Sequence, residues 1–247
     1  MINLTKLVTI LSIVLAHSGL GAEVNKPYHS LYEKNCLTIH VLDAIKSNSK
    51  RANKYSELSN GRSNYLTSLL IGAEVVSVPI LKYFDSISIN YRKAGIPLLC
   101  DDVVSMKDID PMQGDYLIPE SVAEMQTKNE TREIKSLLLE SYKNGGMVEL
   151  ELTANSLVEN LMEHPNFNCM TRHIIESIRR SAGLSNGYSS QASELGLPDP
   201  ENISYNFIKL QIATLDLARM LDNLAHPMQI DGIGMICRDI PYIPRAL

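Results

Sequence analysis

Two stretches of this chain read almost the same. Residues 35–46 are NCLTIHVLDAIK and residues 168–179 are NCMTRHIIESIR. Asn, Cys, Thr, His and Ile recur in place, 133 residues apart and without a gap. A second pair lies downstream: residues 95–103 (GIPLLCDDV) match residues 232–240 (GIGMICRDI) at an offset of 137. The same offset relates Ser56-Glu57-Leu58 to Ser193-Glu194-Leu195, and Asp85 to Asp222. Two ordered matches with one small insertion between them indicate an internal duplication. The Gly/Ser-rich stretch 181–193 is the easiest place for the extra residues.

Each copy reads as a helical hairpin. Asn35 and Asn168 are suited to cap a helix N-terminus, with the cysteine as first helical residue. Residues 36, 39, 40 and 43 then share one face. The first helix is expected to stop near Ser47 in copy one and near Gly183 in copy two. The second helix of copy two follows Pro198 and Pro200, repeats apolar residues at 3–4 spacing, and should end before Pro227. Its counterpart runs over about residues 64–88, and Pro79 should kink it. Between the copies, Pro119-Glu120 opens one helix. Residues 131–144 form another that Gly145-Gly146 terminate, and MVELELT, which alternates as a short strand would, is read as the start of a helix to Glu163.

The fold class is therefore mainly α: a helical bundle of two internally duplicated helical-hairpin units, related by a pseudo-twofold, with a helical insert between them. Residues 1–22 read as a signal peptide, 23–106 as helical repeat unit 1, 107–162 as the helical insert and 163–247 as helical repeat unit 2. A lone hairpin cannot bury both faces, so the units are expected to pack as one domain.

The first 22 residues carry the pattern of a secretory signal. Lys6 is their single charge, residues 7–16 (LVTILSIVLA) are apolar, and Ser18, Gly19, Gly21 and Ala22 are small. Cleavage after Ala22 would leave a net charge of −6 instead of −5. The chain is expected to be exported, into the periplasm or outside the cell. A second apolar stretch, residues 65–84, contains Glu74 and Lys82, which are costly in lipid. It is expected to be a buried helix, not an integral membrane span. An acidic net charge and no alternating aromatic/basic spacing argue against nucleic acid as a partner.

An exported chain with four cysteines reads first as two disulfides. Four cysteines allow three pairings, and spacing alone does not choose among them. The duplication favours Cys36 with Cys100 and Cys169 with Cys237, because one ancestral unit would have carried one self-contained bridge. Crossed pairing between units comes next, then free thiols. Each preferred bridge closes a loop worth about 4 kcal/mol in the chain-entropy model.

Cys36/His40 and Cys169/His173 are i, i+4 pairs, which is metal-ligand spacing. Asp102 and Asp239, each two residues after a cysteine, are placed to add carboxylates or to orient the imidazoles. Against a metal site held by His40 and His173 stands a simpler reading, in which the cysteines are oxidised and the histidines pack beside the bridges. No phosphate loop, dinucleotide fingerprint, nucleophile elbow or zinc-protease motif occurs in the sequence, and no cofactor is expected. A helix-start thiol is reactive, but the sequence has no Cys-x-x-Cys motif for a thiol oxidoreductase. Asn129-Glu130-Thr131 and Asn202-Ile203-Ser204 match the glycosylation sequon.

The favoured function is non-enzymatic: an exported, disulfide-stapled scaffold that binds a protein partner or small ligand, by default in a groove between the units. The alternative is a metal-dependent or acid–base hydrolase using His40, His173, Asp102 and Asp239.

Overall fold

The computed structural model describes residues 26–55, 61–99, 128–161 and 168–230. Among them are five helices and no strand: α1 (Lys26–Tyr55), α2 (Arg62–Lys93), α3 (Lys128–Leu161), α4 (Cys169–Glu194) and α5 (Glu201–Ile230). The signal-peptide assignment, the helix expected at Pro119-Glu120, and Cys100, Asp102, Cys237 and Asp239 lie outside the described residues.

α1 packs antiparallel on α2, α3, α4 and α5 pack on one another, and the two groups meet where α2 touches α5. The larger core joins Leu66, Leu70 and Ala73 of α2 to Leu138 and Leu150 of α3, Ile174 and Ile178 of α4, and Ile208 and Leu221 of α5. A second core holds Cys36, Leu37 and Val41 of α1 against Leu81 and Phe84 of α2, together with Phe207 of α5. The rings of Phe84 and Phe207 meet edge to face, with centroids 5.2 Å apart. Tyr91 adds a polar tie, its hydroxyl donating to the Pro198 carbonyl at 2.8 Å.

After α2 the chain turns sharply and re-enters the second core. Gly95 takes φ 83°, and the Ile96 amide donates to the Tyr91 carbonyl at 2.9 Å. Such a six-residue closure around a left-handed glycine satisfies the last carbonyls of a helix. It brings Ile96, Leu98 and Leu99 down onto the cluster that contains Cys36. The residue before Cys100 is therefore packed in the same core as Cys36.

Several helix ends differ from those expected. α1 continues past Ser47 to Tyr55, and α4 continues past Gly183 to Glu194. The stretch expected to be an insertion loop is helical because its small residues serve packing. Ser181, Ser185 and Ala192 are buried. A Cβ on Gly183 would sit 2.7 Å from the Glu151 carboxylate, so glycine lets α3 approach α4. Tertiary contact here outweighs weak helix propensity. α2 is longer than expected, and α5 runs through Pro227 to Ile230 instead of ending before it. Pro79 and Pro227 are both exposed, where water can satisfy the carbonyl that each ring deprives of a donor.

The insert helix breaks at the two glycines. Gly145 takes φ −145°, ψ 15°, and Gly146 takes φ 65°, ψ −149°. The second conformation is one that only glycine adopts cheaply. MVELELT, beyond the break, is helical.

A Cβ at Gly145 would lie 2.5 Å from the Glu149 Cβ, which is fixed to the backbone, whereas the atom met at Gly183 is a mobile carboxylate tip. Gly145→Ala is therefore expected to cost about 1–3 kcal/mol, and Gly183→Ala less than about 1 kcal/mol. Urea unfolding of the two variants checks the order; equal costs would contradict it.

Candidate functional site

The first turn of an α-helix leaves backbone N–H groups without intrahelical acceptors. At the start of α4 these donors do not go to the side chain of Asn168, which makes no capping bond. They go to a carboxylate on α5. Asp222 accepts from Met170 N at 2.9 Å, Thr171 N at 3.0 Å and Thr171 Oγ1 at 2.8 Å. The Asn168 side-chain oxygen accepts from Arg219, one turn before Asp222. Arg219 also donates to Glu130 on α3 at 2.9 Å. Three helices are thus tied at one point.

The start of the repeated segment in α1 is held the same way. Asn35 breaks the helix, with φ −140° and ψ 30°. Beyond it, Asp85 of α2 accepts from Leu37 N at 3.2 Å, Thr38 N at 3.0 Å and Thr38 Oγ1 at 2.7 Å. Leu37 and Thr38 are the repeat counterparts of Met170 and Thr171, and Asp85 is the counterpart of Asp222. Each donor and acceptor of one anchor has its partner in the other.

The charges around the two anchors differ. Arg92 donates through Nη1 to Asp85 Oδ1 at 3.1 Å and through Nη2 to the Asp85 carbonyl at 2.6 Å. It also donates to the Cys36 sulfur. At the other anchor Arg219 supplies the positive charge. Burial is the largest influence on Asp222 and pushes its pKa up to about 6, against the backbone and Thr171 hydrogen bonds and the Arg219 charge, which pull it down.

Other polar contacts lie farther along the pairs. Asn48 Nδ2 of α1 donates to Glu74 Oε1 of α2 at 2.7 Å, and Gln211 Nε2 of α5 donates to Ser177 Oγ of α4 at 2.5 Å. Glu74 and Gln211 lie 137 residues apart, the offset that relates Asp85 to Asp222. Ser77 and Thr214 do too, and each returns its hydroxyl to the carbonyl three residues back, at 2.6 and 2.7 Å.

His40 and His173 occupy matched positions in α1 and α4 and are buried, at 2% and 4% exposure. Among the described residues the main contact between the two groups of helices is α2 on α5. Cys169 opens α4. Among the described residues no group of three or more His, Cys, Asp or Glu side chains is arranged to hold a metal ion. An open cleft of about 390 Å³ lies at the α3 break, lined by residues that include Leu137, Glu140, Asn144 and Glu149.

Sequence reasoning found the matched Asp85 and Asp222 but gave them no role. It missed Arg92 and Arg219, and met Glu130 only inside a glycosylation sequon. The recurring Thr38 and Thr171 were the available signal, since a hydroxyl in the first turn adds a donor to those a capping carboxylate already meets.

No family model matches the chain, and no curated protein and no solved structure is significantly similar to it.

The Asp222 carboxyl has its folded-state pKa above the usual value of 3.8. Its proton is held more tightly in the folded chain than in the unfolded one. The resulting stabilisation is complete below about pH 4 and is lost as pH rises through about 6. Urea unfolding between pH 4 and 7 should therefore lose part of this pH dependence in Asp222→Asn. An identical pH profile in the variant would contradict the assignment. Asp85→Ala strands the buried amides at the start of the α1 repeat and should cost about 2 kcal/mol.

Proposed function

We propose that this chain is an exported scaffold of two duplicated helical hairpins, stapled by Cys36–Cys100 and Cys169–Cys237, that binds a partner or small ligand without catalysing a reaction. The observation that carries the proposal is the pair of matched anchors. Asp85 and Asp222 are committed to holding helix starts, through the same donors in both halves. Ser77 and Thr214, at the same offset, each return a hydroxyl to the carbonyl three residues back and add to this support.

The burial of both histidines supports a non-enzymatic role. An acid–base or metal-dependent hydrolase must present its imidazoles to substrate and water, and these are walled off. Support for the staples comes from Cys36. Its sulfur is fully buried in the second core, where it accepts from Arg92. Leu99 packs in the Cys36 core, which favours its neighbour Cys100 as partner. The leader-like residues 1–22 and the even cysteine count support export.

Peptide mapping without reduction, combined with elemental analysis, tests the proposal. The expected result is Cys36–Cys100 and Cys169–Cys237 peptides, no titratable thiol and no stoichiometric metal. A crossed pairing would overturn the self-contained units. A free Cys36 would overturn the staple, and metal bound one per chain would favour the hydrolase.

A further inference from the structure

α2 is packed on one side by α1 and on another by α5 and the larger core. Its third side faces outward. Tyr65, Ser68, Gly72, Val75, Pro79 and Tyr83 recur there at 3–4 spacing and are exposed. Tyr65, Val75 and Tyr83 are 63%, 54% and 59% exposed. This stripe carries no charge from Tyr65 to Pro79, and its two tyrosines are about 27 Å apart along the axis. The acids of α2, Glu74 and Asp85, are both buried. Every exposed charge on the helix is positive: Arg62, Lys82 and Lys93. In a chain of net charge −5, this is an apolar face with cations at its ends and no carboxylate of its own.

We propose that the outward face of α2 docks on an anionic phospholipid surface. The charge sign selects an anionic partner, and the uncharged stripe selects one with an apolar layer beneath the charge. Tyrosines at both ends of the stripe suit the headgroup boundary, and lysines beside them suit the phosphates. Among the described residues α2 is the helix long and apolar enough to cross a membrane, by length and composition alone. Its packing argues for lying in the interface instead. α1 flanks it with Lys46 and Lys50 exposed, which a spanning arrangement would draw into lipid. The inference deepens the binding-scaffold reading by naming what one face binds. Cysteine mapping tests that reading, and vesicle binding tests this one, so either fails without the other.

The test is co-sedimentation of the full chain with vesicles of phosphatidylcholine alone, and of phosphatidylcholine with roughly one third phosphatidylglycerol to give a negative surface potential. Wild type is compared with Val75→Asp and with Lys82→Glu/Lys93→Glu, each checked for an unchanged helical circular-dichroism melt. Binding to the anionic vesicles, weakened by salt and lowered about tenfold or more in both variants, is expected. Unchanged binding in the variants would overturn the proposal, because the apolar residues 7–16 or another surface would then carry it. No binding of the wild type would overturn it too, as would salt-sensitive capture of the α2 face by an acidic protein in place of vesicles.

Discussion

Everything else in this structure depends on two carboxylates meeting two helix starts. A helix N-terminus buried against neighbours needs acceptors for its first amides, because water cannot reach them. Asp85 and Asp222 supply those acceptors from the adjacent helix. Each bond set fixes the height of one helix against the other, and the apolar contacts then follow in register. With Asp85 at the start of the α1 repeat, Val41 and Leu81 fall into one core, and Phe84 is delivered to Phe207. With Asp222 at the start of α4, Ile174 and Ile178 meet Leu221 and Ile208.

The two anchors use one geometry and different counter-charges. In the first, Arg92 spans Asp85 and the Cys36 sulfur, so the helix start, the ion pair and the cysteine form a single buried knot. In the second, Arg219 reaches outward to Asn168 and Glu130 and ties the insert helix α3 into the pair. The rest of α3 is held on α4 and α5 by apolar side chains such as Leu138 and Leu150 in the larger core.

The helical class, the helix on each side of Gly145-Gly146 and the matched Asp residues were legible in the sequence, because each rests on local chemistry or self-similarity. The helix ends were less so. Ser47, Gly183 and Pro227 carry strong local stop signals, yet α1, α4 and α5 continue through them. In α4 the small residues Ser181 and Ser185 are buried against neighbouring helices, a reason that no single-chain window contains. The capping role was misplaced for the same cause. Asn168 sits where a cap belongs, but the acceptor comes from Asp222, 54 residues later in the chain. Local rules name the donors that need satisfaction. The fold decides which residue provides it.

The most direct test is residue-resolved hydrogen exchange at the helix starts. First-turn amides of a helix ordinarily exchange fast, since they have no partner within the helix. Two buried anchors require that Leu37, Thr38, Met170 and Thr171 all exchange slowly. Asp85→Ala should release the first two and Asp222→Ala the second two. Fast exchange at either pair in the unsubstituted protein would contradict the account.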